Sequence, residues 1–130
     1  MKLLVGYDGS NSAKAALELA CVHAKAFDAS IEVVASLEGG SVTEAVEVQH
    51  AKEDLEFAEN HIQEQGIAVN THLFVRDMTP GEDIVKFAKE DAIDTIFIGV
   101  RRRSKVGKLL FGSNAQYIII KAPCPVMTVK

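Results

Sequence analysis

The chain has 130 residues, 48% of them hydrophobic and 25% charged, with a net charge of −4 at pH 7. That mix fits one soluble globular domain with a sizeable core, and a net negative chain is a poor general binder of nucleic acid. No apolar run approaches the roughly 20 residues that span a bilayer, so no membrane association is expected.

"KLLVGY" (2–7) is a short apolar run ending in "DGS", and it predicts a buried strand followed by a turn. Its apolar start breaks off at Gly6 and Asp8, too soon for a signal peptide. Ala13, Ala16, Leu17, Ala20, Ala24 and Phe27 then recur at three- and four-residue steps, the stripe of an amphipathic helix, with Ser10, Asn11 or Ser12 as N-cap. "SIEVVASL" (30–37) reads as a second strand ended by Gly39-Gly40. A second helix is expected from about Thr43 to Gln65, burying Val48, Ala51, Leu55, Ala58 and Ile62 and stopping at Gly66.

"AVNTHLFV" (68–75) alternates and predicts a third strand. In "TPGE" (79–82), Thr79 as N-cap, Pro80 at N1 and Glu82 at N3 form a capping box that starts a third helix through Ile84, Phe87 and Ala88. "DTIFIGV" (94–100) is a buried fourth strand. Ser113-Asn114-Ala115-Gln116 has the pattern of a second capping box. Ile118-Ile119-Ile120 prefers strand by local propensity, yet the cap in front and Pro123 behind make it helix. "PVMTVK" (125–130) closes the chain as a fifth strand.

The order βαβαβαβαβ with short connections argues for an α/β fold, a doubly wound five-stranded parallel sheet with helices on both faces. Such sheets bind ligands at the carboxyl ends of their strands, near the point where strand order reverses. "YDGS" ends the first strand and "GVRRR" the fourth, so both segments are candidates.

Charge is unevenly placed. Residues 38–64 carry eight acids against Lys52 alone, whereas Arg101, Arg102, Arg103, Lys105 and Lys108 crowd residues 99–108 without an acid. An anion site is therefore expected near the second segment, and the acidic helix reads as a solvated face. Asp8, followed by Gly9 and a helix start, can hold a ribose hydroxyl or a Mg²⁺, though Asp and Gly are also ordinary turn residues. Gly99, Gly112 and Ser113 fit a backbone that approaches phosphate oxygens and then opens a helix whose first amides face an anion. The spacing is not that of a P-loop. Cys21 and Cys124 read as reduced core thiols, which suits a cytoplasmic protein. The four histidines, His23, His50, His61 and His72, have no metal-ligand spacing and read as solvated or partly buried side chains.

"VGYDGS", "TPGEDI", "IFIGV", the loop running from Gly99 to Gly112-Ser113, and "APCPVMTV" follow one another in an order that resembles the universal stress protein family over essentially the whole chain. The resemblance implies one domain over residues 1–130, strand order 3-2-1-4-5, and a small cytoplasmic homodimer that binds ATP or AMP, with Mg, and has no strong catalytic activity. The family motif is Gly-x-x-Gly, nine residues, then Gly-Ser or Gly-Thr. Here Gly99 is its first glycine, 103–111 its interval, and Gly112-Ser113 its closing pair, with Asn114 beyond. Asp8 and Gly9 match the family's first strand end, and Ser36 the position lining the adenine pocket at the second. Asp8 would meet the nucleotide's Mg indirectly.

The second glycine is replaced by Arg102. A Cβ at a position needing positive φ costs roughly 1–2 kcal/mol. A guanidinium can also grip phosphate oxygens in a two-bond fork, so Arg101 and Arg102 are candidate phosphate groups. The resemblance also implies a homodimer through the edge strand Val126, Met127, Thr128 and Val129, and a nucleotide-regulated surface for an unidentified protein partner. The competing function is a dimeric interaction module that binds no nucleotide and uses the Arg101–Arg103 surface. Nucleic-acid binding by the same arginines lacks interleaved aromatics and is not expected.

Overall fold

A computed structural model describes residues 1–39, 45–100 and 112–130. Its elements are β1 (Lys2–Gly6), α1 (Asn11–Phe27), β2 (Ser30–Glu38), α2 (Ala45–Gln63), β3 (Val69–Arg76), α3 (Pro80–Glu90), β4 (Thr95–Gly99), α4 (Ser113–Lys121) and β5 (Val126–Val129). The five strands form one parallel sheet in the order β3-β2-β1-β4-β5. This is the doubly wound sheet that the sequence pattern predicts.

The central strand β1 is buried on both sides, which is why its sequence is a continuous apolar run rather than an alternation. Leu3, Val5 and Tyr7 pack with Ala16, Leu17 and Ala20 of α1 and Leu55, Ala58 and Ile62 of α2. Leu4 packs on the opposite face with Ile84, Val85 and Ala88 of α3 and Ile118 of α4. Phe97 of β4, fully buried against the α1–α2 side, is worth roughly 2–3 kcal/mol by its burial alone.

Ser10 is the N-cap of α1, its hydroxyl accepting from Ala13 N at 3.2 Å. Cys21 joins the buried stripe, which ends at Ala24, and Phe27, expected to continue it, is exposed. Helix α2 buries Ala51, Leu55, Ala58 and Ile62, with Val48 half-buried at its start. The expected start at Thr43 and the expected turn at Gly40 lie outside the described residues. At its other end Gly66, with φ of +75°, and the bond from Ile67 N to Ile62 O close the helix two residues earlier than expected.

The α3 capping box forms as read: Thr79 Oγ accepts from Glu82 N at 3.2 Å and Glu82 Oε1 accepts from Thr79 N at 3.1 Å. The second capping box does not form. Helix α4 starts at Ser113 itself, Gly112 is the N-cap, and no side chain caps it. Asn114 Oδ1 instead accepts from Gly81 N of α3 at 3.0 Å. The isoleucine run is helical, and the period of 3.6 residues shows in its burial: Ile118 is in the core while Ile120 is 74% exposed.

Ala92 sits at φ of +51°, in the left-handed region that disfavours a side chain. Ala92→Gly is expected to raise stability by roughly 0.5–1 kcal/mol, the relief of strain less the entropy of a freer chain. A urea midpoint equal to wild type would show that the turn carries no strain.

Candidate functional site

The strand order reverses between β1 and β4, and both strands end at the same rim. A cleft of about 190 Å³ opens there, walled by Tyr7, Asp8, Ser36, Gly99 and Asn114 among polar or small residues, and by Val34, Ile84, Ile98 and Ile118 among apolar ones. A second hollow of about 330 Å³ shares Asp8, Gly99, Asn114 and Ala115 with it and adds Gly112 and Ser113. The two adjoin, giving an apolar compartment toward β2 and a polar one under the start of α4.

Three helices begin around this rim. The N-cap of α1 is Ser10, the N-cap of α3 is Thr79, and the N-cap of α4 is Gly112. The first two are closed by their own side chains. The third has no capping side chain among the described residues, and the first turn of α4, with the positive end of its dipole, borders the cleft.

The glycines have separate causes. At Gly99 an added Cβ would lie 2.4 Å from Ser12 C and 2.6 Å from Ala13 N, so this glycine lets the first turn of α1 rest on the end of β4. That is a packing reason, where the sequence suggested approach to phosphate. At Gly9, φ is +77° and an added Cβ would meet the Asp54 carboxylate at 2.7 Å. Gly112 has neither constraint among the described residues: its φ is −64° and none of them lies within 4 Å of an added Cβ. No contact with the described residues requires a glycine there.

Asp8 is exposed at the rim, and its Oδ1 accepts from Ser10 N at 2.9 Å. Asn114 lines both compartments while tying α4 to α3 through Gly81. Ser36 lines the apolar compartment and donates to Asp83 Oδ2 at 2.5 Å. The structure thus brings Asp8, Ser36, Gly99, Gly112, Ser113 and Asn114 to one cleft. Gly9 is turned under Asp54 and is not in either wall. Arg101 and Arg102 lie outside the described residues.

Sequence reasoning missed Tyr7, Asp54 and Asp83. Tyr7 is buried, and its hydroxyl is pushed up to about 12 by burial and then by the charges of Asp54, Asp8 and Glu18. Burial, with Asp8 adding to it against the pull of His50 and Lys14, holds the Asp54 carboxyl above the usual carboxylate range. A raised carboxyl disfavours folding above its unfolded-state value, and the penalty fades as pH falls through the folded value. Asp54→Asn should therefore raise the urea midpoint modestly at neutral pH and not in acid. An equal difference from wild type at both pH values would refute this. Asp83 carried a readable signal: it shares a helix face with Phe87, four residues on, so a carboxylate stood on the apolar stripe.

The universal stress protein family model matches residues 1–130, the whole chain. The chain belongs to the universal stress protein family. A curated universal stress protein of Thermus aquaticus is 33% identical over 134 residues, covering 98% of this chain and 97% of the relative. Among solved structures, the universal stress protein from Archaeoglobus fulgidus superposes with a TM-score of 0.91 at 40% identity, covering 100% of this chain and 98% of that one. A structure of the universal stress protein from Archaeoglobus fulgidus in complex with dAMP gives a TM-score of 0.85 at 36% identity, covering 100% and 98%.

Within this universal stress protein, none of the described residues form a cluster of three or more histidine, cysteine or acidic groups able to hold a metal. Cys21 is a buried core residue and Cys124 is half-buried against the α3–α4 side, and both thiols are pushed up, mainly by burial. No helix among the described residues is long and apolar enough to cross a membrane.

Proposed function

We propose that this universal stress protein binds an adenine nucleotide, ATP or AMP, at the carboxyl ends of β1 and β4, and acts as a regulatory protein of stress physiology rather than as an enzyme. The observation that carries the reading is the start of α4. Among the described residues it faces the cleft without a capping side chain, behind a glycine that none of their contacts requires. Uncapped amides and a Cβ-free approach are what a phosphate needs. The relative at 36% identity solved with dAMP supports the same ligand class.

The base would lie in the apolar compartment. The β1–β2 ladder ends with Tyr7 N donating to Val34 O at 2.9 Å. By the strand period of two, Ser36 turns its N–H and C=O to the same edge, past the point where β1 leaves. From Ser36 across β1 to β4 is two strand spacings, roughly 10 Å, which suits a nucleotide laid base to β2 and phosphate to α4. Mg²⁺ would arrive on the phosphates with Asp8 facing it, and the Arg101 and Arg102 guanidiniums would add to phosphate affinity.

Calorimetry with ATP, AMP and cyclic AMP, with and without Mg²⁺, tests this. Gly112→Ala should weaken ATP about tenfold or more, one lost close amide contact, while adenosine affinity and the urea midpoint stay at wild type. Arg102→Ala should likewise weaken ATP more than adenosine. Wild-type protein that binds none of the three nucleotides would refute the reading.

A homodimer through β5 belongs to the same proposal. β5 is an edge strand of the sheet. Pro125 O and Val129 O accept from Ile96 N and Val100 N, so Val126 and Thr128 turn their main chain outward. Ile120 on the preceding helix is exposed and apolar. Two copies could pair these edges across a two-fold axis. Light scattering on wild type and Thr128→Pro tests it; a wild-type monomer at tens of micromolar would overturn it.

A further inference from the structure

We infer that Ser36, held by Asp83, selects the base: it accepts a hydrogen bond from an exocyclic amino group and so favours 6-aminopurine over 6-oxopurine nucleotides. The inference rests on the nucleotide reading of the cleft and assigns a specificity-determining role to a buried pair behind its wall.

A serine hydroxyl has one proton to donate and two lone pairs. That proton is committed to Asp83 Oδ2 at 2.5 Å, the short distance of a bond to an ionised acceptor. Asp83 is fully buried and is fixed from its other oxygen, since Arg76 Nε and Nη2 both approach Oδ1 at 2.6 Å. The hydroxyl cannot turn round without stranding a buried carboxylate oxygen. Toward the cleft, which Ser36 lines, it therefore offers only lone pairs. The residues beside it, Val34, Ile84 and Ile98, have apolar side chains, and the donors that share the cleft, Tyr7, Ser10 and Asn114, stand where β1 ends and where α1 and α4 begin rather than on β2 or α3. An amino group completes the Ser36 oxygen. A keto oxygen would set acceptor against acceptor, and a site built for one partner rejects the other.

The division of labour at Asp83 supplies the test. In Asp83→Asn, the amide oxygen can keep both Arg76 bonds, while the amide nitrogen takes the place of Oδ2. That atom then donates to Ser36 Oγ, and the serine proton is released toward the cleft. The measurement is calorimetry of AMP and IMP on wild type, Ser36→Ala and Asp83→Asn, with thermal melting to verify folding. Both ligands carry the same phosphate, so their affinity ratio reads the base end alone. The ring N1, which also differs between them, would meet main chain that neither substitution alters.

The AMP/IMP affinity ratio should fall about tenfold in Ser36→Ala, the worth of one matched against mismatched bond, and further in Asp83→Asn, toward IMP. If Asp83→Asn does not fold, Ser36→Ala decides alone. A ratio unchanged in the folded variants, with AMP still bound, overturns the role of Ser36 and leaves the nucleotide reading standing. No binding of AMP or IMP to wild type overturns both.

Discussion

Replacing Gly99 by alanine is expected to destabilise the protein by about 3 kcal/mol or more, the upper range for forcing a group into filled space. What stands in the way of the new Cβ is main chain. Ser12 C would lie at 2.4 Å, and Ala13 N and Ser12 O at 2.6 Å, all in the first turn of α1. No rotamer change relieves such a contact. The helix must lift from the end of β4, and with it go Ala13, Ala16 and Leu17, which are seated in the core. Gly6 makes the useful comparison. Its added Cβ would also collide, at 2.5 Å, but with Ile84 Cδ1, the far end of a side chain that can swing aside. Gly112→Ala sets the baseline, since none of the described residues lies within 4 Å of the new Cβ. Urea denaturation should rank the losses Gly99→Ala, Gly6→Ala, Gly112→Ala, with the slope unchanged if only stability moves. A Gly99→Ala midpoint near that of Gly112→Ala would refute the close packing of α1 on β4.

Gly99 also shows where sequence reading reached its limit. The motif marked the residue, but whether its missing side chain serves a ligand or a helix depends on a contact with residues 87 positions away. Local features were legible. The α3 capping box needs only Thr79, Pro80 and Glu82, and it formed as read. Ile118–Ile120 were legible as helix because a stop stands behind them. The reading of Ser113 as a cap failed because the helix begins one residue earlier than its pattern suggested, with Ser113 already helical and Gly112 as the cap. The cleft followed from the strand order and the two strand-end segments. Ser36 came from the family resemblance; the pair behind it did not, because Ser36, Arg76 and Asp83 lie on three elements and meet only in the folded chain.

Arg76→Ala is expected to cost about 3 kcal/mol, far more than the 1 kcal/mol or less of an ordinary exposed ion pair. The pair is asymmetric. Asp83 is fully buried, whereas the Arg76 side chain is 38% exposed and lies across Phe74, its guanidinium carbon 4.4 Å from the ring centroid. Removing the acid leaves an arginine that can turn into water. Removing the arginine leaves a carboxylate with Ser36 as its one remaining partner of the two described, reached by water only through the space the guanidinium vacates. The expected cost sits at the low end for a broken buried pair, because the space vacated by the guanidinium opens toward solvent. Part of any loss is packing on Phe74, so Arg76→Met, which keeps an apolar stem and removes the charge, should cost nearly as much as Arg76→Ala. Asp83→Asn should rescue both, since a neutral amide is far cheaper to leave half-paired than a charge. The double variant Arg76→Ala/Asp83→Asn should thus be more stable than Arg76→Ala alone, a coupling read from a double-mutant cycle. A cost for Arg76→Ala below about 1 kcal/mol, with no rescue, would mean that water already reaches Asp83. The carboxylate would then not be fixed firmly enough to hold the Ser36 hydroxyl in one orientation. The stability of this pair and the base preference of the cleft therefore stand on the same two bonds to Asp83 Oδ1.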